Sequence, residues 1–138
     1  MKLIRYVPSV VWMGTIFYLS HQPANKSAET SLGVVDFALN IIPVPETYEK
    51  EFHAFVRKSA HFFAYAFLAM LIYYAYRGNH RIFFTLMISL LYAISDELHQ
   101  LFIPGRSAEV RDVLIDVCGA AFGLLIIKLG MKILTRRD

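Results

Sequence analysis

The chain has 138 residues, of which 57% are hydrophobic and 18% charged, with a net charge of +3. A water-soluble domain of this size carries fewer apolar and more charged residues, and here the apolar residues gather into long runs, so the composition excludes an ordinary soluble domain and points to a membrane protein. The single cysteine, Cys118, excludes an intramolecular disulfide, and its place in an apolar run makes it a packing residue.

The first predicted element covers residues 3–20, LIRYVPSVVWMGTIFYLS. Lys2 and Arg5 would suit the start of a signal peptide. His21, Gln22 and Pro23 follow in place of a small-residue cleavage site, so the run is read as an uncleaved first span. Pro8 falls in its opening turns, where a missing N–H costs least. Residues 21–57 form a long loop with two helix-like parts. Ser27 is placed to cap a helix over 27–40, with Leu32, Val35, Phe37, Leu39 and Ile42 as its apolar surface. Pro43 and Pro45 break the chain, and 46–57 then shows Tyr48, Phe52, Phe55 and Val56 at helical spacing. Both are expected to be short helices lying on the outer interface.

The second span is predicted over 58–76 and is joined to the third, 81–103, by the short loop 77–80. The third is about 34 Å long at 1.5 Å per residue, enough to cross a bilayer. Pro104 and Gly105 stop it. The fourth span covers 112–134 and ends in a basic tail. The predicted fold is therefore an all-α polytopic membrane protein, one domain over 1–138, with four transmembrane helices and short extracytoplasmic interfacial helices.

Four spans divide the charges between two sides. One side holds Lys2, Arg5, Arg77, Arg81, Lys128, Lys132, Arg136 and Arg137 against Asp138 alone, a net +7. The other holds Lys26, Lys50, Arg57, Lys58, Arg106 and Arg111 against ten acids, a net −4. Basic residues favour the cytoplasmic side, so both termini are expected inside. The basic excess is explained by insertion, and no nucleic-acid partner is expected.

The same alternation brings polar groups together at the outer end. The first span ends there with Ser20, His21 and Gln22. The second begins with Lys58, His61 and Tyr65 on one arc. The third ends with Asp96, Glu97, His99 and Gln100. The fourth starts with Arg111, Asp112 and Asp116, in phase with Gly119 and Gly123. That G-x-x-x-G spacing permits close helix contact, so the acids are aimed into the bundle. Ionisable groups in a span cost about 2.5–3.5 kcal/mol at its centre on insertion scales, and are functional candidates by default.

Three readings follow. In the first, the pocket holds a polar or anionic head group of a membrane lipid or lipid-linked envelope precursor. Its ligand-binding residues are Lys58, His61, Glu97, Gln100, Arg106, Arg111, Asp112 and Asp116. Arg106 leads as the anion contact, and no cofactor is expected. In the second, His61, Asp96, His99, Asp112 and Asp116 hold a divalent metal, or His99 or Glu97 serves as catalytic base, in an enzyme acting on lipid phosphates. In the third, the network only holds helix ends together, although burying so many charges is a poor route to stability. No H-E-x-x-H, G-x-S-x-G or P-loop is present.

The combination Lys58-x-x-His61-Phe-x-x-Tyr65, Ser95-Asp-Glu-x-His-Gln100, Pro104-Gly-Arg106 and Asp112-x-x-x-Asp116-x-x-Gly119 resembles the VanZ-like family, as does Trp12 with Phe17-Tyr-Leu-Ser20-His-Gln-Pro23. The resemblance implies a small bacterial integral membrane protein of the cell envelope. The family's namesake is associated with resistance to teicoplanin, a glycopeptide with a fatty acyl chain. By the same resemblance the motif residues are Lys58, His61, Glu97, Gln100, Arg106, Asp112 and Asp116. Two positions depart from the common pattern: Asp116 stands where members often carry Asn, and His21 where they often carry Ser.

Overall fold

The computed structural model describes residues 3–23 and 48–135. A 3-10 turn (Leu3–Tyr6) leads into α1 (Val7–Ser20), followed by α2 (Glu49–Ala75), α3 (Arg81–Gln100) and α4 (Val110–Leu134). The predicted helix over 27–40 lies outside the described residues. Among the described residues, four helices are long and apolar enough to cross a membrane. Only 17% to 33% of each apolar stretch is buried, so most of these surfaces, Phe63, Leu114 and Leu129 among them, are left for lipid.

Two boundaries differ from the sequence-based expectation. The helix expected over 46–57 is not separate in its described part: from Glu49 onward it continues into α2 as one rod. The reason is local, because no Pro or Gly lies between Glu49 and Ala75 to end the hydrogen-bond ladder. The third helix stops at Gln100 rather than Ile103. Phe102 and Ile103 donate to the carbonyls of His99 and Gln100, both at 3.0 Å, tightening the chain into turns. Ile103 to Arg106 then forms a type II turn, with Pro104 second, Gly105 third at φ 77°, and Arg106 N–H donating to Ile103 O at 3.1 Å. Only glycine takes that φ readily.

α2 and α4 form the tightest pair. A Cβ at Gly119 would strike the Phe62 carbonyl oxygen, and one at Gly123 that of Ala66. The predicted G-x-x-x-G contact is therefore made, on the same stripe as Asp112 and Asp116. Cys118, one position off that stripe, is exposed rather than packed. α2 and α3 reverse direction through a short turn that Arg81 fastens. Its guanidinium donates to Tyr76 O (2.9 Å) and Tyr73 O (3.0 Å) and lies 4.2 Å over the Tyr73 ring. These are carbonyls at the α2 end that the ladder leaves open.

α1 docks on α2 and α3. Ile16 enters the core with Tyr65, Leu68, Ile72 and Ala93. Trp12 donates Nε1–H to Ala64 O at 2.9 Å and meets the Phe67 ring edge-on at 4.9 Å. Tyr92 donates its hydroxyl to Met13 O. A second cluster, Ala69, Tyr73, Ala120, Leu124 and Ile127, fills the other end between α2 and α4.

Candidate functional site

The polar groups converge where α1 and α3 end and α4 begins. Asp96, Glu97 and Gln100 on α3, Ser20 on α1 and Asp116 on α4 are all buried, Asp116 and Ser20 almost completely. Asp96 Oδ2 accepts from Ser20 Oγ at 2.7 Å and from Gln100 Nε2 at 3.2 Å. The same Gln100 nitrogen lies 3.3 Å from Glu97 Oε1. Gln100 Oε1 accepts from Arg106 Nη1 at 3.2 Å.

Arg106, projected by the type II turn, also donates Nε–H to Gln22 O at 2.9 Å and Nη2–H to Leu19 O at 3.4 Å. It thus clasps the end of α1 to the end of α3. Burial, with the Arg57 charge second, lowers its pKa from the ordinary guanidinium value, while Asp96 and Glu97 act the other way. A guanidinium starts so high that it stays charged regardless.

The α4 side is held by different groups. Glu97 Oε2 accepts the Glu109 backbone N–H at 3.0 Å, one of the donors a helix start leaves open. Lys58 Nζ lies 2.8 Å from Asp112 Oδ1 and 3.6 Å from Glu109 Oε2. His61 Nδ1 stands 3.7 Å from Asp116 Oδ1, an ion-pair distance but too long for a hydrogen bond. Neither Asp116 oxygen has a hydrogen-bond donor, although the residue is 0% exposed, and Asp96 Oδ1 and the Tyr65 hydroxyl are also without partners. Such groups are rare in proteins and ask for a reason.

These side chains line one small cleft: Arg57, Lys58, His61, Glu97, Gln100, Asp112, Ile115 and Asp116. Its enclosed space is ≈ 10 Å³ for the centre of a water-sized sphere. That is room for about one water-sized group. Six of the residues expected to bind ligand therefore share the cleft. Arg106 backs it through Gln100 instead of facing into it. Arg111 is exposed and outside the lining. Asp96 lies behind, toward α1. His99 turns away to His21, with Nδ1 of His21 and Nε2 of His99 at 3.0 Å and the Phe17 ring centred 4.5 Å from His99. The expected metal set is thereby divided, and among the described residues no three His, Cys, Asp or Glu side chains gather as a metal-holding group. Sequence reasoning overlooked Arg57 and Glu109. Glu109 carried a signal, an acid immediately before a helix start, where the dipole favours it.

Fold and site together define a small multi-pass membrane protein with ionisable groups from several helices buried at one end of the bundle. The family model VanZ/LLP1 matches residues 6–132, nearly the whole chain, and the chain belongs to that family. Comparison with curated proteins and with solved structures finds no match.

Proposed function

We propose that the cleft opens to the outside of a bacterial inner membrane, with both termini cytoplasmic, and binds the polar head group of an envelope amphiphile. A membrane lipid, a lipid-linked envelope precursor and a lipoglycopeptide all belong to that class. The last would connect this chain to the teicoplanin resistance of the family's namesake. The observation that carries the reading is the mismatch at the cleft floor. Asp116 is fully buried with no hydrogen-bond donor on either oxygen, in a cleft that two cations, Arg57 and Lys58, also line. A network serving stability alone would give its deepest acid hydrogen-bond donors; here the one partner among the described residues is His61, at ion-pair distance but beyond hydrogen-bond reach. Ionisable groups at span ends are tolerated when a ligand or water uses them.

In this reading Lys58 and Arg57 meet the anionic part of the head group at the mouth. Glu97, Gln100, Asp112 and Asp116 offer acceptors below. Arg106 is a positioning residue, because its guanidinium is occupied by Gln22, Leu19 and Gln100. The test is to purify the chain in mild detergent and identify retained lipid by mass spectrometry. One head-group class should be enriched over the bulk membrane, lost in Lys58→Ala and kept in Arg77→Ala, whose side chain is exposed in the turn at the other end. Retained lipid that mirrors the bulk membrane in all three proteins would overturn the reading.

A further inference from the structure

The floor of the cleft specifies which chemical group a ligand must bring there. Among the described residues, Lys58 is committed to Asp112 and Glu109. Glu97 receives only neutral donors, the Glu109 N–H and the Gln100 amide. Asp116 receives none, and His61 stands off at 3.7 Å. Arg106 spends its N–H groups on Gln100 and on the α1 carbonyl end. Two carboxylates, Glu97 and Asp116, thus line one hole with no lysine or arginine in ion-pair contact with either.

The hole cannot close to remove the problem. Gly119 lies one turn along α4 from Asp116, and even a Cβ there would strike the Phe62 carbonyl oxygen, so α2 and α4 have no room to move closer at that level. What remains is a rigid, water-sized space beside an acid that lacks donors.

We propose that this space takes a primary ammonium group carried by the bound head group. The proposal rests on the head-group reading and deepens it. An ammonium is about the size of a water molecule, carries a positive charge and points three N–H donors at its surroundings. It supplies the missing donors to Asp116 and Glu97 through charge-assisted hydrogen bonds. A phosphate would be repelled by the two acids and is held instead at the mouth by Arg57 and by the N–H that Lys58 keeps beside its pairs with Asp112 and Glu109. A trimethylammonium group has no N–H and is too bulky for the space. The ligand class is therefore a zwitterionic aminoalkyl phosphate, with its amine down and its phosphate up.

The experiment uses the full chain, delipidated in detergent and followed by native mass spectrometry. Dioleoylphosphatidylethanolamine, dioleoylphosphatidylcholine and dioleoylphosphatidylglycerol are titrated separately. Phosphatidylethanolamine should bind about ten- to a hundredfold more tightly than phosphatidylcholine, as expected for hydrogen bonds to charged groups. Both Asp116→Asn and Glu97→Gln should erase that preference while each variant still elutes and melts as a folded protein. The second variant covers the case in which the first fails to fold. Free ethanolamine distinguishes sources: competition means the amine alone is held, and its absence beside tight phosphatidylethanolamine binding means the lipid head group is held as a whole. Equal binding of phosphatidylcholine, or strongest binding of phosphatidylglycerol, would overturn the ammonium proposal and leave the head-group reading standing. Binding of none of the three would overturn the ammonium proposal, and would overturn the head-group reading as well if the lipid retained on purification mirrors the bulk membrane.

Discussion

Replacing Gly119 by Ala tests the contact that fixes the depth and rigidity of the cleft. The new methyl would overlap the Phe62 carbonyl oxygen and lie 2.9 Å from its carbon and 3.0 Å from its Cα. Ordinary carbon contacts are about 3.5–4.0 Å, so α2 must withdraw by roughly half an ångström or more. The obstacle is backbone and cannot swing aside, which places the cost near the top of the range for overpacking, about 3 kcal/mol. Alanine in place of glycine in a helix returns about 1 kcal/mol. The net loss is about 2 kcal/mol, read as a melting temperature several degrees lower in detergent. Gly130→Ala is the control: nothing lies within 4 Å of its added Cβ, so it keeps only the helical gain. Equal melting temperatures for the two variants would refute the close approach of α2 and α4.

Arg106→Ala removes two hydrogen bonds that join the turn after α3 to the end of α1 and a third to Gln100 on α3, and should lower stability by about 2–4 kcal/mol. Hydrogen exchange over Val7–Ser20 should rise before the rest of the protein, and uniform exchange would argue against the clasp. Trp12→Phe keeps the ring but loses the bond to Ala64 O, for an expected cost of about 1 kcal/mol by thermal melting. No change in melting would mean that this bond does not hold α1 to α2. For orientation, cysteines placed at Ser107 and Asn79 in a Cys118→Ser background are challenged with a membrane-impermeant maleimide on intact cells. Ser107→Cys should label and Asn79→Cys should not. The opposite pattern would put the cleft on the cytoplasmic side.

The spans and the convergence of their polar ends were legible because both follow from periodicity and alternation. Asp112, Asp116, Gly119 and Gly123 share a helical stripe whatever the neighbours do, so their common inward face could be read directly. Side-chain direction beyond the helices could not. Arg106 sits in the turn that Pro104 and Gly105 announce, but nothing local says that its guanidinium reaches back across α1 to Gln22 O. His99 lies close in phase to Asp96 and Gln100, yet the packed end of α1 draws it to His21 and out of the cleft. The 46–57 segment reads as separate because its apolar residues at helical spacing follow the Pro43 and Pro45 break and precede the more apolar run that begins at Lys58. Helix continuity is decided by the absence of a breaker, and none lies between Glu49 and Lys58. Arg57 was missed for the same reason, since it belongs to α2 only once the helix runs through it.

The most direct measurement is the melting temperature of lipid-free Asp116→Asn beside the unsubstituted protein. A buried carboxylate without donors is a burden unless something binds it, so exchanging it for a neutral amide of the same shape should leave stability unchanged or raise it by up to about 2 kcal/mol. A fall as large as that of Arg106→Ala would show that Asp116 holds the helices together, and would contradict a site built for a ligand.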